Sequence, residues 1–593
     1  MPQVKAITKS IETPPDVRAI ERPPEGLAER QALLQPPAAR PGWFRRHWPV
    51  VLVILLSSLL AIPRLTFLLP ALADHRDEIY QPLRALKFAA SAGQAFHKYG
   101  PAPNFVLLPA YGATFVYWKV TGDFSTPQQD YPYGLARPLD QLGVLIFESR
   151  LIFLLLGIAG VAALTAAMRR QTGSTLAAAG AALLMIVTCY RFQWALPSAS
   201  VDASMIAFVL LALAAWLRMA HDGPTPWRGA LFAAAAAMAV GSKENAAFPL
   251  AVMSVALVVW SAWRERTGQN GETGRLWRSV VTAALVGSGL YLALNVIYAP
   301  GVWWQRIEYW SGPGVSGGVW GENESWRLHL RFVGAGFLNN LGPAGVILVP
   351  LAITAAWFAR PGWAALLSAA PLASVVTVLA LPYATDRFIT PALVTAAPLV
   401  AIGIAAAWER SGAAGRVVLG GVLALGIGAN LLWSTVVYHL DDLAEQAQME
   451  RDLATRTDDP FVGYAVMIGD SPAMHRLNHL GYRADLRAMP EWAAERDNLP
   501  DVIYASAGRM QMIDEARQMP GRAAFYKSEY DFDLDAWPGF EALGYAPPRP
   551  IETPWPRRLA LLEWMPLADE LGLRTVIVYE RAESADNEGT AGR

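Results

Sequence analysis

Cysteine is almost missing from this 593-residue chain. Cys189 stands alone inside an apolar run, so an intrachain disulfide and a cysteine-based metal cluster are both excluded. Charge is scarce as well. Only 17% of residues are Asp, Glu, Lys or Arg and the net charge is -1, which is too little for an ordinary soluble enzyme. Basic tracts interleaved with aromatics are lacking, so no nucleic-acid partner is expected. Also lacking is a small-residue cleavage pattern after the first apolar run, which makes Trp48 to Pro70 a signal anchor rather than a removable leader. The proline-rich, charged segment 1–47 holds too little apolar surface to fold and is expected to be a disordered cytoplasmic tail.

What is present is hydrophobic length, at 53% of residues. A helix crosses about 30 Å of hydrocarbon with roughly 20 apolar residues. Runs of that kind recur at Trp48 to Pro70, Leu142 to Met168, Thr175 to Cys189, Ala203 to Leu217, Arg228 to Val240 and Ala246 to Trp263. Five more are Val280 to Tyr298, Phe332 to Trp357, Trp363 to Leu381, Phe388 to Trp408 and Val417 to Val437. The expected fold is an α-helical polytopic membrane protein with about eleven transmembrane helices. The apolar stretch from Pro103 to Val120 is interrupted by Pro109 and Gly112 and is expected to be an interfacial helix.

Arginines gather on alternate loops: Arg45 and Arg46, Arg169 and Arg170, Arg218 and Arg228, Arg264 and Arg266, Arg360, Arg410 and Arg416. Short loops rich in such residues stay in the cytoplasm. The first loop, 71–141, and a C-terminal region, 439–593, then fall on the outer side of the inner membrane, flanking a membrane domain at 48–438. Phe461 to Ile468, Asp501 to Ala505 and Thr575 to Tyr579 read as buried strands, which makes the C-terminal region a small extracytoplasmic α/β domain.

Chemistry is expected on that outer side. Asp77 and Glu78 lie just past the first span, where partial desolvation raises a carboxylate pKa toward that of a general base; a solvated loop rim is the alternative. Lys243 and Glu244 interrupt two alanine-rich spans, and Lys243 suits an anionic head group unless the two simply neutralise each other. Asp386 and Arg387 repeat the arrangement, and Arg387 is able to grip a phosphate in bidentate fashion. Asp202 enters the fourth span, and Glu148 has Arg150 nearby as a helix-pairing partner. Tyr309, Trp310, Glu322 and His329 belong to an aromatic, glycine-rich loop that either anchors at the interface or closes over a sugar or polyprenyl chain. His329 with Glu322 is a weak metal-ligand pair. Asp470 and Ser471 come after a strand and read as a helix cap before they read as a site.

This ordered set resembles the membrane glycosyltransferases of the GT-C fold, particularly the dolichyl-phosphate-mannose protein mannosyltransferases and the lipid A aminoarabinose transferases. The carriers are Asp77 and Glu78 opening the first outer loop, the proline-led helix from Pro101 to Val120, Arg150 at the start of the second span, the turn at Lys243, and Arg387 to Pro391. The chain departs from the aminoarabinose type at Pro101, Ala102, Pro103 and Asn104, where a lysine-proline step is usual. The resemblance implies transfer of a sugar from a polyprenyl-phosphate donor to an acceptor hydroxyl of a protein, lipid or envelope glycan. Asp77 is then the base, and Lys243 and Arg387 hold the lipid phosphate. The family's divalent metal requirement varies, so a metal cofactor stays open. The rival class is a secondary transporter of a small anionic or sugar solute, although corresponding half-repeats are not found. A non-catalytic scaffold or sensor is the third.

Overall fold

The computed structural model describes residues 43–65, 76–97, 99–129, 132–267, 273–311, 326–380, 386–439, 445–456, 459–465, 483, 489–494, 498–507, 510, 513–514, 517–518, 533–551 and 576–582. The chain divides between Met1–Trp48 and Pro49–Arg593, and the second unit holds both a helical bundle and a small sheet.

The helices in chain order are α1 (Trp43–Leu65), α2 (Arg76–Ala90), α3 (Ala102–Thr121), α4 (Pro138–Thr172) and α5 (Thr175–Ala182), which runs on into a π-helical turn at Leu183–Val187. Then come α6 (Tyr190–Ala195), α7 (Val201–Asp222), α8 (Pro226–Ser242), α9 (Ala247–Arg266), α10 (Thr273–Tyr291) with a second π-helical turn at Leu292–Ile297, and α11 (Pro300–Ser311). The set closes with α12 (Trp326–Ala359), α13 (Pro361–Ala380), α14 (Thr390–Arg410) and α15 (Ala413–His439). Among the described residues eight of these are long and apolar enough to cross a membrane, with shorter apolar helices at His47–Ile62 and Thr175–Val187. The protein is therefore a multi-pass membrane protein. The expected figure of eleven is reached only if α1, α5 and the 17-residue α8 are counted too.

Helix ends obey local chemistry. Ser174, Ser200 and Thr225 accept hydrogen bonds from the first-turn amides of α5, α7 and α8, and Pro226 opens α8 where no N–H is required. Gly122 and Gly173 close α3 and α4 in the left-handed conformation. In the bundle α4 packs along α7, α7 along α8, and α8 along α10. A second group gathers α12, α13 and α5 around α14. That position buries α14 over 94% of its apolar window. The helix α12 is broken at Gly342, whose φ of 66° is left-handed, next to Pro343. Asn430 of α15 bridges the break, its Oδ1 accepting from the Gly345 amide at 3.3 Å.

The expected interfacial stretch is α3. Trp118, Tyr111 and Leu107 are buried, while Val116, Tyr117 and Val120 form an exposed apolar face. It is not one of the eight helices with spanning character.

Past α15 the chain forms α16 (Glu445–Thr455), β1 (Val462–Tyr464), α17 (Met489–Ala494), β2 (Val502–Ser506), β3 (Arg549–Pro550) and β4 (Val576–Glu580). The sheet order is β1-β2-β4-β3, parallel between β1 and β2 and antiparallel elsewhere. Trp492, Phe540, Trp537 and Tyr579 fill its core. Three of these strands coincide with the expected ones; β3 is additional. Arg456 and Arg549 alternate with Asp452 and Glu580, joining α16 to β4 through contacts of 2.6 to 3.4 Å. Burial alone raises the Glu580 pKa, but hydrogen bonds from both arginines outweigh it and hold the carboxyl below its usual value. Asp470 and Ser471 lie outside the described residues.

Candidate functional site

The site is built on an antiparallel helix pair. Helix α7 starts where α8 ends, because only a short turn joins them at the far side, and at about 1.5 Å per residue both cover much of a bilayer. Asp202 sits in the first turn of α7 and Lys243 caps the C-terminus of α8. Each charge therefore complements its own helix dipole, and the two meet. Lys243 Nζ donates to Asp202 Oδ1 at 2.6 Å, with the side chains only 6% and 5% exposed. Ser204 and Ser242 hydroxyls, 2.9 Å apart, tie the same helix ends together. Lys243 thus pairs with Asp202, 41 positions earlier, and not simply with the adjacent Glu244.

Two other segments reach this pair, and a third joins them through Tyr99. The first is the irregular stretch between α2 and α3, where a Cβ on Gly100 would stand 2.1 Å from the Gly241 carbonyl oxygen; only glycine allows that approach. The stretch brings the Tyr99 ring to 5.6 Å from Lys243 Nζ. The second is the 3-10 turn Asp386–Ile389, whose Phe388 ring lies 4.8 Å from the same nitrogen. The third is α11, from which Arg306 Nη1 donates to the Tyr99 carbonyl at 3.3 Å and Nη2 to Asn295 Oδ1 at 3.4 Å. Arg84 of α2 stands 5.4 Å over the Tyr99 ring.

Positive charge therefore accumulates. His97 registers it: burial first, and then the fields of Arg84, Arg306 and Lys87, lower its pKa to about 4, so the imidazole is neutral at pH 7. Among the described residues His97 Nε2, Glu244 Oε2 and Arg306 Nε are buried without a hydrogen-bond partner. Buried polar atoms are rarely left so, and the Arg306 Nε–H donor among neighbouring cations is suited to an anionic group.

The other residues singled out from the sequence are spread over several elements. Asp77 and Glu78 occupy the first turn of α2, two turns before Arg84, and their side chains lie outside the described part. Arg387 is beside Phe388, again with its side chain outside it. Tyr309, on α11, packs against Phe96 with ring centroids 6.1 Å apart. Trp310 lies in the last turn of that helix and His329 in the first turn of α12, both without described side chains, and Glu322 lies outside the described residues altogether. Among the described residues no three His, Cys, Asp or Glu side chains are grouped to hold a metal. Glu148 accepts from the Thr114 hydroxyl of α3, and buried Arg150 donates to the Leu65 carbonyl at 3.4 Å. Arg84, His97, Tyr99 and Arg306 were not singled out from the sequence.

The family described as dolichyl-phosphate-mannose-protein mannosyltransferase matches residues 139–290, roughly a quarter of the chain, including Arg150, Asp202 and Lys243. Solved structures similar to this one include ArnT from Cupriavidus metallidurans bound to undecaprenyl phosphate. That match has 15% identity and a TM-score of 0.46, covering 79% of this chain and 95% of that one. The archaeal oligosaccharyltransferase AglB from Archaeoglobus fulgidus, in complex with an inhibitory peptide and a dolichol-phosphate, matches at 12% identity and a TM-score of 0.49, over 91% of this chain and 89% of that one. The S. cerevisiae protein O-mannosyltransferase Pmt1-Pmt2 complex bound to the sugar donor matches at 14% identity and a TM-score of 0.33, over 53% and 38%. No curated protein matches the chain.

Proposed function

We propose that this protein transfers a sugar from a polyprenyl-phosphate-linked donor to an acceptor hydroxyl at the outer face of the inner membrane. The observation that carries the proposal is the convergence on Lys243: the first loop through Tyr99, the turn beside Arg387 through Phe388, and α7 through Asp202 all meet at one buried ammonium. The family match over 139–290 takes in the helix pair that holds it.

In this reading Lys243 and Arg387 hold the donor phosphate, with Arg84 and Arg306 adding to the field around it. The acceptor oxygen attacks the anomeric carbon as the bond from that carbon to the phosphate oxygen breaks. The electron pair leaves on the polyprenyl phosphate, whose growing negative charge the fixed cations stabilise. The acceptor proton passes to Asp77, with Glu78 beside it, and the anomeric configuration inverts. Tyr309, Trp310, Glu322 and His329 contact the acceptor or the closing loop. The membrane domain spans 48–438, and the region 439–593 lies on the outer side, where it selects the acceptor.

The test is sugar transfer from a panel of radiolabelled polyprenyl-phosphate sugars by the full chain in lipid, beside Asp77→Asn. The expected result is turnover with one donor, reduced on the order of 10²- to 10⁴-fold in the variant. Folded protein that releases sugar from none of the donors would refute the reading.

A further inference from the structure

Three cations from three separate elements converge on one residue that is neither acidic nor charged. Arg84 of α2 and Lys243 at the end of α8 stand 5.4 and 5.6 Å from the Tyr99 ring centroid, and Arg306 of α11 donates to the Tyr99 carbonyl at 3.3 Å. Both ring distances are within the ~6 Å over which an aromatic face attracts a cation. Tyr99 is itself buried, and the segment that carries it is pressed onto Gly241 at Gly100. Its position relative to α8 is therefore fixed by backbone contact, not by the charges.

A carboxylate at position 99 would gather the same cations, but it would cancel part of their charge. A ring face and a carbonyl supply only partial negative charge, so they collect the cations and leave the field positive. Burial first, and then the charges of Arg84 and Arg306 among others, lower the pKa of His97 two residues away. We propose that Tyr99 is the positioning residue of the donor-phosphate site: it aligns Arg84, Lys243 and Arg306 for the phosphate without neutralising them. The proposal rests on the reading under Proposed function, and it assigns Tyr99 no contact with the reacting atoms.

The prediction is a graded one. Tyr99→Phe keeps the ring and the carbonyl, whereas Tyr99→Leu keeps only the carbonyl. The probe is a C55 polyprenyl monophosphate without sugar, titrated against the full chain in lipid nanodiscs, with thermal unfolding measured on each sample. Tyr99→Leu is expected to weaken binding at least about tenfold, ~1.4 kcal/mol, while Tyr99→Phe stays within about threefold of the parent because both present a cation-binding face. Should Tyr99→Leu fail to fold, Tyr99→Met makes the same comparison with a longer side chain. A folded Leu or Met variant that binds as tightly as the parent overturns the proposal, and so does a Phe variant that loses as much as Leu. In either case the parent's own binding leaves the donor reading standing. Failure of the folded parent protein to bind the probe sinks the donor reading, and the assignment of Tyr99 with it.

Discussion

Removing Asp202 alone should cost more than removing Asp202 and Lys243 together. The pair is nearly dry, at 2.6 Å between Nζ and Oδ1, and it links the start of α7 to the end of α8. Two unit charges at about 4 Å attract by roughly 4 kcal/mol at an effective dielectric of 20. Stripping one partner from a buried pair typically costs about 3–5 kcal/mol, mostly because the survivor is left uncompensated; replacing both by apolar groups of similar size is near neutral. Asp202→Asn and Lys243→Met should therefore each destabilise the protein by several kcal/mol, and the double variant should recover much of the loss. The assay is unfolding of the purified protein in mixed detergent micelles by titration with denaturing detergent, with the four proteins run side by side. Additive losses in the double variant would show that the two charges do not sense each other, and would refute the pairing argument. Turnover separates structure from chemistry: the double variant should be stable and inactive if Lys243 meets the donor phosphate.

Two further expectations rest on the geometry. His97 takes up a proton near pH 6.5 in the unfolded chain but near 4 in the fold, so stability is full above 6.5 and declines as pH falls toward 4, by about 3 kcal/mol at most; His97→Gln should flatten that decline in melting curves recorded from pH 7 to 4.5, and an unchanged slope would count against it. A Cβ on Gly403 of α14 would sit 1.8 Å from the Ala352 carbonyl of α12, whereas one on Gly289 of α10 meets nothing within 4 Å. Gly403→Ala should lower stability by about 1–3 kcal/mol and Gly289→Ala should not, a ranking that thermal unfolding of the two variants checks directly.

The helical scaffold was legible because apolar length is a local signal. Among the described residues each of the eleven stretches falls on helix, from α1 to α15. The break in α12 at Gly342-Pro343 was not read from the sequence, because the run around it is apolar enough to pass for one uninterrupted span. Strand β3 left no trace, since two residues, one of them proline, make no periodic pattern. For the site, sequence reading found Lys243 and Asp202 but not that they face each other. Neighbours in sequence point in different directions, while helix ends brought together by an antiparallel hairpin can lie 41 residues apart. Arg306 was hidden among tryptophans that read as an interface belt, and Tyr99 among residues with no distinguishing pattern. Their importance comes from convergence of separate elements, which only tertiary structure shows. The mutual arrangement of the two flanking aromatics, Tyr99 and Phe388, belongs to the same category.

The bundle is uneven in what surrounds its helices. Apolar residues of α14 are 94% enclosed by protein, whereas the window on α10 is only 6% enclosed. Helix α10 thus answers to the thickness and packing of whatever lipid the cell supplies, through tilt and mismatch. Helix α14, with Pro398 in its interior, is shielded from all of that: its neighbours act as its solvent. Changes in lipid composition should therefore be felt first along the α10 flank, which packs on the helix that Lys243 caps, while the centre of the bundle responds to the volume of its own side chains.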